Sequence, residues 1–310
     1  MSVLVNKKVL ITGSTGFVGS HVLREFINLG YEVVGVSRSE HANSHVICDI
    51  SGDTDWSDIL EGVDIVIHCA AAVHQMEFTE NVLNSYQRLN VDGTLNLAEQ
   101  AKASVKRFIF LSTVKVNGEQ TFNEIFFADD IPNPTDPYGI SKERAEAGLR
   151  IIARSSKMEV VIIRSPLVYG PNPKGNLKKL AKYLDCKIPL PFGLVTYNLR
   201  SLVYIGNLID FIYICSKHTA AKNETFLISD DSDLNTADVI TLIGKALDVR
   251  TILLPVPVVI LKLLFKVFGK KEHEVRLLGN LCVDVTKNKE MLGWKPKYSV
   301  QEGFQRSFKK

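Results

Sequence analysis

The chain has 310 residues, 45% of them hydrophobic and 23% charged, an ordinary globular composition long enough to bury a large core. Its net charge of +3 is weak and no basic run is interleaved with aromatics, so no nucleic-acid groove is expected. No signal-peptide pattern opens the chain, and no apolar run approaches the ~18 residues that a membrane span needs.

In chain order, short β-branched runs at 9–12, 32–36, 65–69, 107–112 and 160–164 predict strands. Helical patterns at 17–29, 56–61, 80–102 and 138–155 lie between them. This alternation predicts βαβ units in a parallel sheet. Runs such as Ile65-Val66-Ile67 are apolar on both faces, as a sheet covered on both sides requires. The expected fold class is therefore α/β, a Rossmann-type doubly wound parallel sheet with a smaller C-terminal lobe. Residues 1–168 form the expected dinucleotide-binding domain. From Tyr169 the prolines at 171, 173, 189 and 191 break the rhythm, so 169–310 is expected to form the lobe, with 199–228 returning to the first domain.

The five cysteines, at 48, 69, 186, 215 and 282, include no pair at C-x-x-C spacing, which points to reduced thiols in a cytoplasmic protein. The histidines have no zinc spacing, and Asp230-Asp231-Ser232-Asp233 lacks the glycine and glutamate of a calcium loop. No metal is expected. The stretch 257–271 carries Lys262, Lys266 and Lys270 on an otherwise apolar helix. A core helix with snorkelling lysines and a membrane-surface helix both have this pattern, and the core helix is the expected one.

The first chemical motif is Gly13-Ser14-Thr15-Gly16-Phe17-Val18-Gly19, directly after a predicted strand and opening a predicted helix. Glycines allow a tight turn and close approach to a pyrophosphate, and the start of a helix favours an anion. These seven residues, Ser14 aside, are expected to hold a dinucleotide. Asp49 and Ile50 follow the third apolar run, where a carboxylate could take the adenine amino group. Ala70, Ala71 and Ala72 follow the next strand and leave room for a cofactor at the sheet edge. The second strand ends in Ser37-Arg38, with no acid to hold a ribose 2′-hydroxyl. An arginine there accommodates a 2′-phosphate and favours NADP over NAD; alternatively Arg38 stacks on adenine and either cofactor binds.

These motifs, with Asn90-Val91-Asp92-Gly93-Thr94, Ser112-Thr113, Tyr138-Gly139-Ile140-Ser141-Lys142, Arg164-Ser165-Pro166, Arg200-Ser201-Leu202-Val203 and Leu292-Gly293-Trp294, resemble the extended short-chain dehydrogenases/reductases, in particular their UDP-glucose 4-epimerase-like branch. The resemblance covers nearly the whole chain. It implies redox chemistry at carbon 4 of a UDP-sugar, with a 4-epimerase as the first reading and an NADPH-dependent reductase of a UDP-4-keto-6-deoxysugar as the alternative.

Tyr138 and Lys142 stand four apart on a predicted helix and so share one face. A phenol of pKa near 10 must drop by about three units to act as a base at neutral pH, and an ammonium about 4 Å away supplies a comparable energy. Lys142 is therefore expected to lower the pKa of Tyr138. The resemblance adds that Lys142 binds the nicotinamide ribose, that Asn90 belongs to the cofactor site, and that Thr113, with Ser112 beside it, hydrogen-bonds the reacting oxygen. It also carries over Arg200 and, more weakly, Arg276 as diphosphate ligands, and Asn176 and Leu177 as part of the nucleotide pocket. Asn117 replaces a tyrosine common in the family and is expected on the substrate side. A homodimer through the helices at 80–102 and 138–155 is implied by resemblance alone.

Overall fold

The computed structural model describes residues 7–38, 40, 46–72, 80–173 and 175–309. The strands are β1 (Lys8–Thr12), β2 (Glu32–Ser37), β3 (Val46–Ile47), β4 (Val63–His68), β5 (Arg107–Thr113), β6 (Glu159–Ser165), β7 (Leu167–Tyr169), β8 (Leu202–Tyr204) and β9 (Thr225–Leu227). Seven of them form one parallel sheet in the order β3-β2-β1-β4-β5-β6-β9. β7 and β8 make a separate parallel pair. The chain winds outward from β1 to β3 and then crosses back to β4. The topological switch point therefore lies between β1 and β4, where sheets of this kind open a ligand crevice at the carboxyl ends of their strands.

The alternation along β1 explains why the sheet is covered on both sides. Val9 and Ile11 pack with Val22, Phe26 and Leu208 in one core. Leu10 points the other way and packs with Leu97, Ala98 and Leu149 in a second core. The first core is covered by α1 (Phe17–Asn28) and by α6 (Ile205–Lys217), which follows α5 (Gly175–Asp185). The second is covered by α3 (Thr94–Ala101) and α4 (Pro137–Arg154). The lobe adds α7 (Thr236–Ala246), α8 (Val258–Val267), α9 (Lys271–Leu278), α10 (Thr286–Leu292) and α11 (Val300–Phe308). β9 joins the main sheet beside β6, so chain from the second half completes the first-half sheet.

Three expectations need correction. No helix forms at 56–61: the Asp55 carboxylate accepts from the backbone N–H and hydroxyl of Ser57, and the segment closes into turns. Six residues are too few to hold a helix against such local competition. The helix expected at 80–102 is α2 (Glu80–Ser85), a π-helix at Tyr86–Gly93, and α3. The π-helix lets Gly93 meet Ile50 at a distance no side chain could share, since a Cβ there would stand 2.8 Å from the Ile50 Cγ2. Lastly, α8 is not a core helix. Leu261 is its sole buried residue, and Val259, Leu263 and Val267 face outward. Too many of its positions are apolar for one buried stripe to absorb them all. Among the described residues no helix is long and apolar enough to cross a membrane.

Candidate active site

The crevice at the switch point is built on glycines. Gly13 directly follows β1 with φ +67, a left-handed conformation, and a Cβ there would lie 2.9 Å from the Ala70 Cα. A Cβ on Gly19 would lie 2.1 Å from the Gly13 carbonyl oxygen. Glycine alone permits both contacts: the first presses the loop after β1 against the loop after β4, and the second seats α1 on the loop after β1. Gly16 caps α1 with no side-chain hydrogen bond, so the first turn of α1 presents its backbone donors to the crevice mouth. Ser14 Oγ is buried with no hydrogen-bond partner among the described residues. Small residues, unclaimed donors at a helix start and an unsatisfied buried hydroxyl together suit a dinucleotide pyrophosphate. Gly13, Thr15, Gly16, Phe17, Val18 and Gly19, the residues expected to hold it, line this turn, with the side chains of Phe17 and Val18 packed partly on the core.

The walls are clamped by polar side chains. Asn90, on the π-helix, accepts from the Ala72 N–H at 2.8 Å and donates both to the Ala72 carbonyl and to Ser141 Oγ at 3.0 Å. Ser141 in turn donates to the Tyr138 carbonyl. Asn90 therefore ties the alanine loop to α4, and both of its amide N–H donors are used in doing so. His68 bridges Thr12 and Thr94 at 2.8 and 2.9 Å, and burial, with the charge of Lys142 nearby, drops its pKa to about 3, so it stays neutral.

α4 carries Tyr138 and Lys142. Asp136 caps it by accepting from the Gly139 N–H at 2.6 Å, and Pro137 occupies its first turn. Lys115, two residues beyond Thr113, pairs with Asp136 and so fixes the end of β5 to the start of α4. Tyr138 packs against the Tyr86 ring, centroid to centroid 6.0 Å. Burial pushes its phenol well above the ordinary value, and Asp136 and Tyr86 push it the same way. The expected lowering by Lys142 is thus absent in the chain itself. The reason lies one turn away: Lys142 Nζ sits 3.8 Å above the Phe110 ring, and burial lowers its own pKa to about 7 against the raising pull of Glu146 and Cys69.

Ser112 and Thr113 separate by strand alternation. Ser112 Oγ donates to Glu146 at 2.6 Å and is buried, which removes it from the expected catalytic set. Thr113 Oγ1 accepts from the Lys115 N–H at 3.3 Å, at the crevice end of β5. Glu146 is fully buried and also accepts from Arg164 and Arg150. Arg164 donates on to the Asn117 Oδ1 at 3.0 Å, and Asn117 donates to the Phe127 carbonyl. Asn117 is therefore part of this buried network rather than a substrate-side group. Glu146 was missed as a functional support, and Asn90, expected in the cofactor site, was not foreseen as a clamp. The available signal was the spacing Tyr138, Lys142, Glu146 along one helix face.

Other expected residues are placed as follows. Asp49 is exposed and its carboxylate holds Arg88 at 2.7 Å. Ile50 and Leu177 are buried in the two cores, so only their backbones can reach a ligand. Ser37 is buried and Arg38 exposed just past β2. Asn176 lies in the first turn of α5. Arg200 donates to the carbonyls of Val275 and Gly279, and burial lowers its pKa to about 10 against the pull of Cys282, with the repulsion of Arg276 adding to the lowering. Two cations far apart in sequence are thus brought close enough to feel each other. Arg276 pairs with Glu272 at 3.3 Å.

The sequence profile of the NAD dependent epimerase/dehydratase family matches residues 9–229. The chain belongs to that family. It is an enzyme of the extended short-chain dehydrogenase/reductase type, and its family is nicotinamide-dependent. It is 44% identical over 310 residues to a UDP-glucose 4-epimerase of Vibrio cholerae, covering 97% of this chain and 94% of the relative. An N-acetyl-alpha-D-glucosaminyl-diphospho-ditrans,octacis-undecaprenol 4-epimerase of Escherichia coli O157:H7 is 31% identical, over 86% of this chain and 82% of its own. The same fold occurs in the UDP-glucuronic acid 4-epimerase of Bacillus cereus solved with NAD, at 22% identity, a TM-score of 0.79 and 97% coverage of both chains.

Proposed function

We propose that this enzyme is a UDP-sugar 4-epimerase, and that Tyr138, Lys142 and Thr113 carry its chemistry. The reading rests on one observation: Tyr138 and Lys142 lie a turn apart on α4, the helix clamped by Asn90 to a glycine-and-alanine cradle at the switch point, in a chain closely similar to a 4-epimerase.

When bound, the nicotinamide dinucleotide supplies the hydride acceptor and donor and, oxidised, a positive charge that draws the phenol's pKa down. Tyr138 Oη takes the proton of the sugar 4-hydroxyl and later returns it. The Thr113 hydroxyl holds that same oxygen. Lys142, poised near pH 7, carries a proton or yields one without a large energy difference. Arg200 and Arg276 take the diphosphate, for which guanidinium geometry is suited. The lobe-side residue Asn176 and the Leu177 backbone line the nucleotide end, and Asp49 with Ile50 the adenine end of the cofactor site. The 1–168 segment with 199–228 makes the cofactor half and the rest of 169–310 the sugar half. The lack of any pairing among the five cysteines supports a reducing, cytoplasmic setting. Ile151 and Leu83, exposed on α4 and α2, support a homodimer through these helices.

A second reading has its own support. Ser37-Arg38 closes β2 without an acid at either position, which favours NADP and a 4-ketosugar reductase. One experiment divides the two. Purified enzyme is incubated with UDP-glucose or UDP-N-acetylglucosamine and no added cofactor, and the nucleotide released on denaturation is identified. Epimer interconversion with retained NAD is expected, and Tyr138→Phe abolishes it. NADPH oxidation with a UDP-4-keto-6-deoxysugar, without interconversion, replaces the first reading with the second.

A further inference from the structure

We infer that α8 is a docking element that lays this enzyme on an anionic membrane surface. The helix is attached to the body by Leu261, which is buried, and by Val258 and Phe265, which pack partly on the first core. With about 100° between successive residues these three fall on one side. The opposite side is apolar and open: Val259 is 77% exposed, Leu263 60% and Val267 70%, with Ile260 and Leu264 beside them, and Phe268, at the end of the helix, is also exposed. A contiguous apolar face of this kind on a folded protein marks an interaction surface.

Charge decides what covers it. Lys262 and Lys266 line one edge of the open face, between it and the body of the protein, and Lys270 follows just past the helix. From Val249 to Lys271 the chain has Arg250 and four lysines and no acid at all. The next acids are Glu272 and Glu274 on α9, and Glu272 is already paired with Arg276. No cation of 249–271 is in an ion pair among the described residues. A second copy meeting this face about a twofold axis would bring like charges together. A bilayer with anionic headgroups meets both demands at once, since the apolar residues enter the acyl boundary while the lysines reach the phosphates. The inference stands apart from the proposed activity, because it uses none of the crevice residues.

The test is co-sedimentation of the full chain with vesicles of phosphatidylcholine plus phosphatidylglycerol, against phosphatidylcholine alone, at low and high salt. Binding to the anionic vesicles is expected to exceed binding to the neutral ones by roughly tenfold or more and to fall with salt. Leu263→Glu with Val267→Glu abolishes it, and Lys262→Glu with Lys266→Glu lowers it at least about tenfold. Both variants keep the wild-type circular dichroism and the turnover of a soluble UDP-sugar. Failure of the wild type to sediment with anionic vesicles overturns the inference. So does equal binding to neutral vesicles, or a self-association, measured without lipid, that the Leu263→Glu and Val267→Glu changes dissolve.

Discussion

Lys142 is held in a place that is hostile to its charge, and the cost is measurable. Its side chain is 1% exposed, and burial brings its pKa from 10.5 to about 7 even with Glu146 and Cys69 pulling the other way. At about 1.4 kcal/mol per pKa unit, keeping the ammonium there costs about 5 kcal/mol below pH 7, relative to the unfolded chain. Between about pH 7 and 10.5 the unfolded chain binds the proton and the folded one does not. Folding then releases a proton, so this group's penalty is largest below pH 7 and stability rises with pH across that window. Lys142→Met fills a similar volume without charge. The variant is expected to exceed wild type by about 3 to 4 kcal/mol near pH 6, after some loss of packing and of the Phe110 contact. The gap should shrink by about 1.4 kcal/mol per pH unit above 7 and close near pH 10. Urea unfolding at several pH values with unchanged m-values measures it. Epimerisation should be lost in the same variant. A variant no more stable than wild type near pH 6, or a gap that ignores pH, would refute the claim that a buried charge is being held against desolvation.

Three other outcomes follow from the same structure. Gly19→Ala places a methyl on the Gly13 carbonyl, so the loop must open; cofactor content after purification should fall sharply, with about 1 to 3 kcal/mol of stability lost. Arg164→Met leaves the fully buried Glu146 with Arg150 and Ser112 alone and should cost about 2 to 4 kcal/mol in urea unfolding, whereas adding Glu146→Leu should recover part of it; a purely additive double variant would sink the buried-pair reading. Arg276→Met removes one charge-assisted contact of about 1.5 to 3 kcal/mol, so KM for a UDP-sugar should rise roughly tenfold to a hundredfold with kcat near wild type.

The parts of this enzyme legible in the sequence are those whose chemistry is local. Gly13, Gly16 and Gly19 announce a turn and a helix start because each constraint acts within a few residues of backbone. Tyr138 and Lys142 announce a shared face because helix periodicity alone sets it. The doubly wound sheet was readable for the same reason, since Val9, Leu10 and Ile11 must each find cover on alternating sides.

What stayed hidden depends on which distant atoms meet. Ser112 and Thr113 are equivalent hydroxyls in sequence; only the arrival of Glu146 from α4 claims the first and leaves the second at the crevice. Arg200, whose guanidinium donates to the carbonyls of Val275 and Gly279, meets the Arg276 helix only because the lobe folds back. The direction of the Tyr138 shift was also undecidable, since desolvation, Asp136 and Tyr86 act through space and outweigh the expected help from Lys142. Likewise α8 has the composition of a core helix, and the packing gives it a core side only one residue deep. Sequence determined the backbone constraints and the residue types offered to the site. Tertiary structure decided burial and pairing, because desolvation and hydrogen bonding depend on neighbours that the chain brings together only when folded.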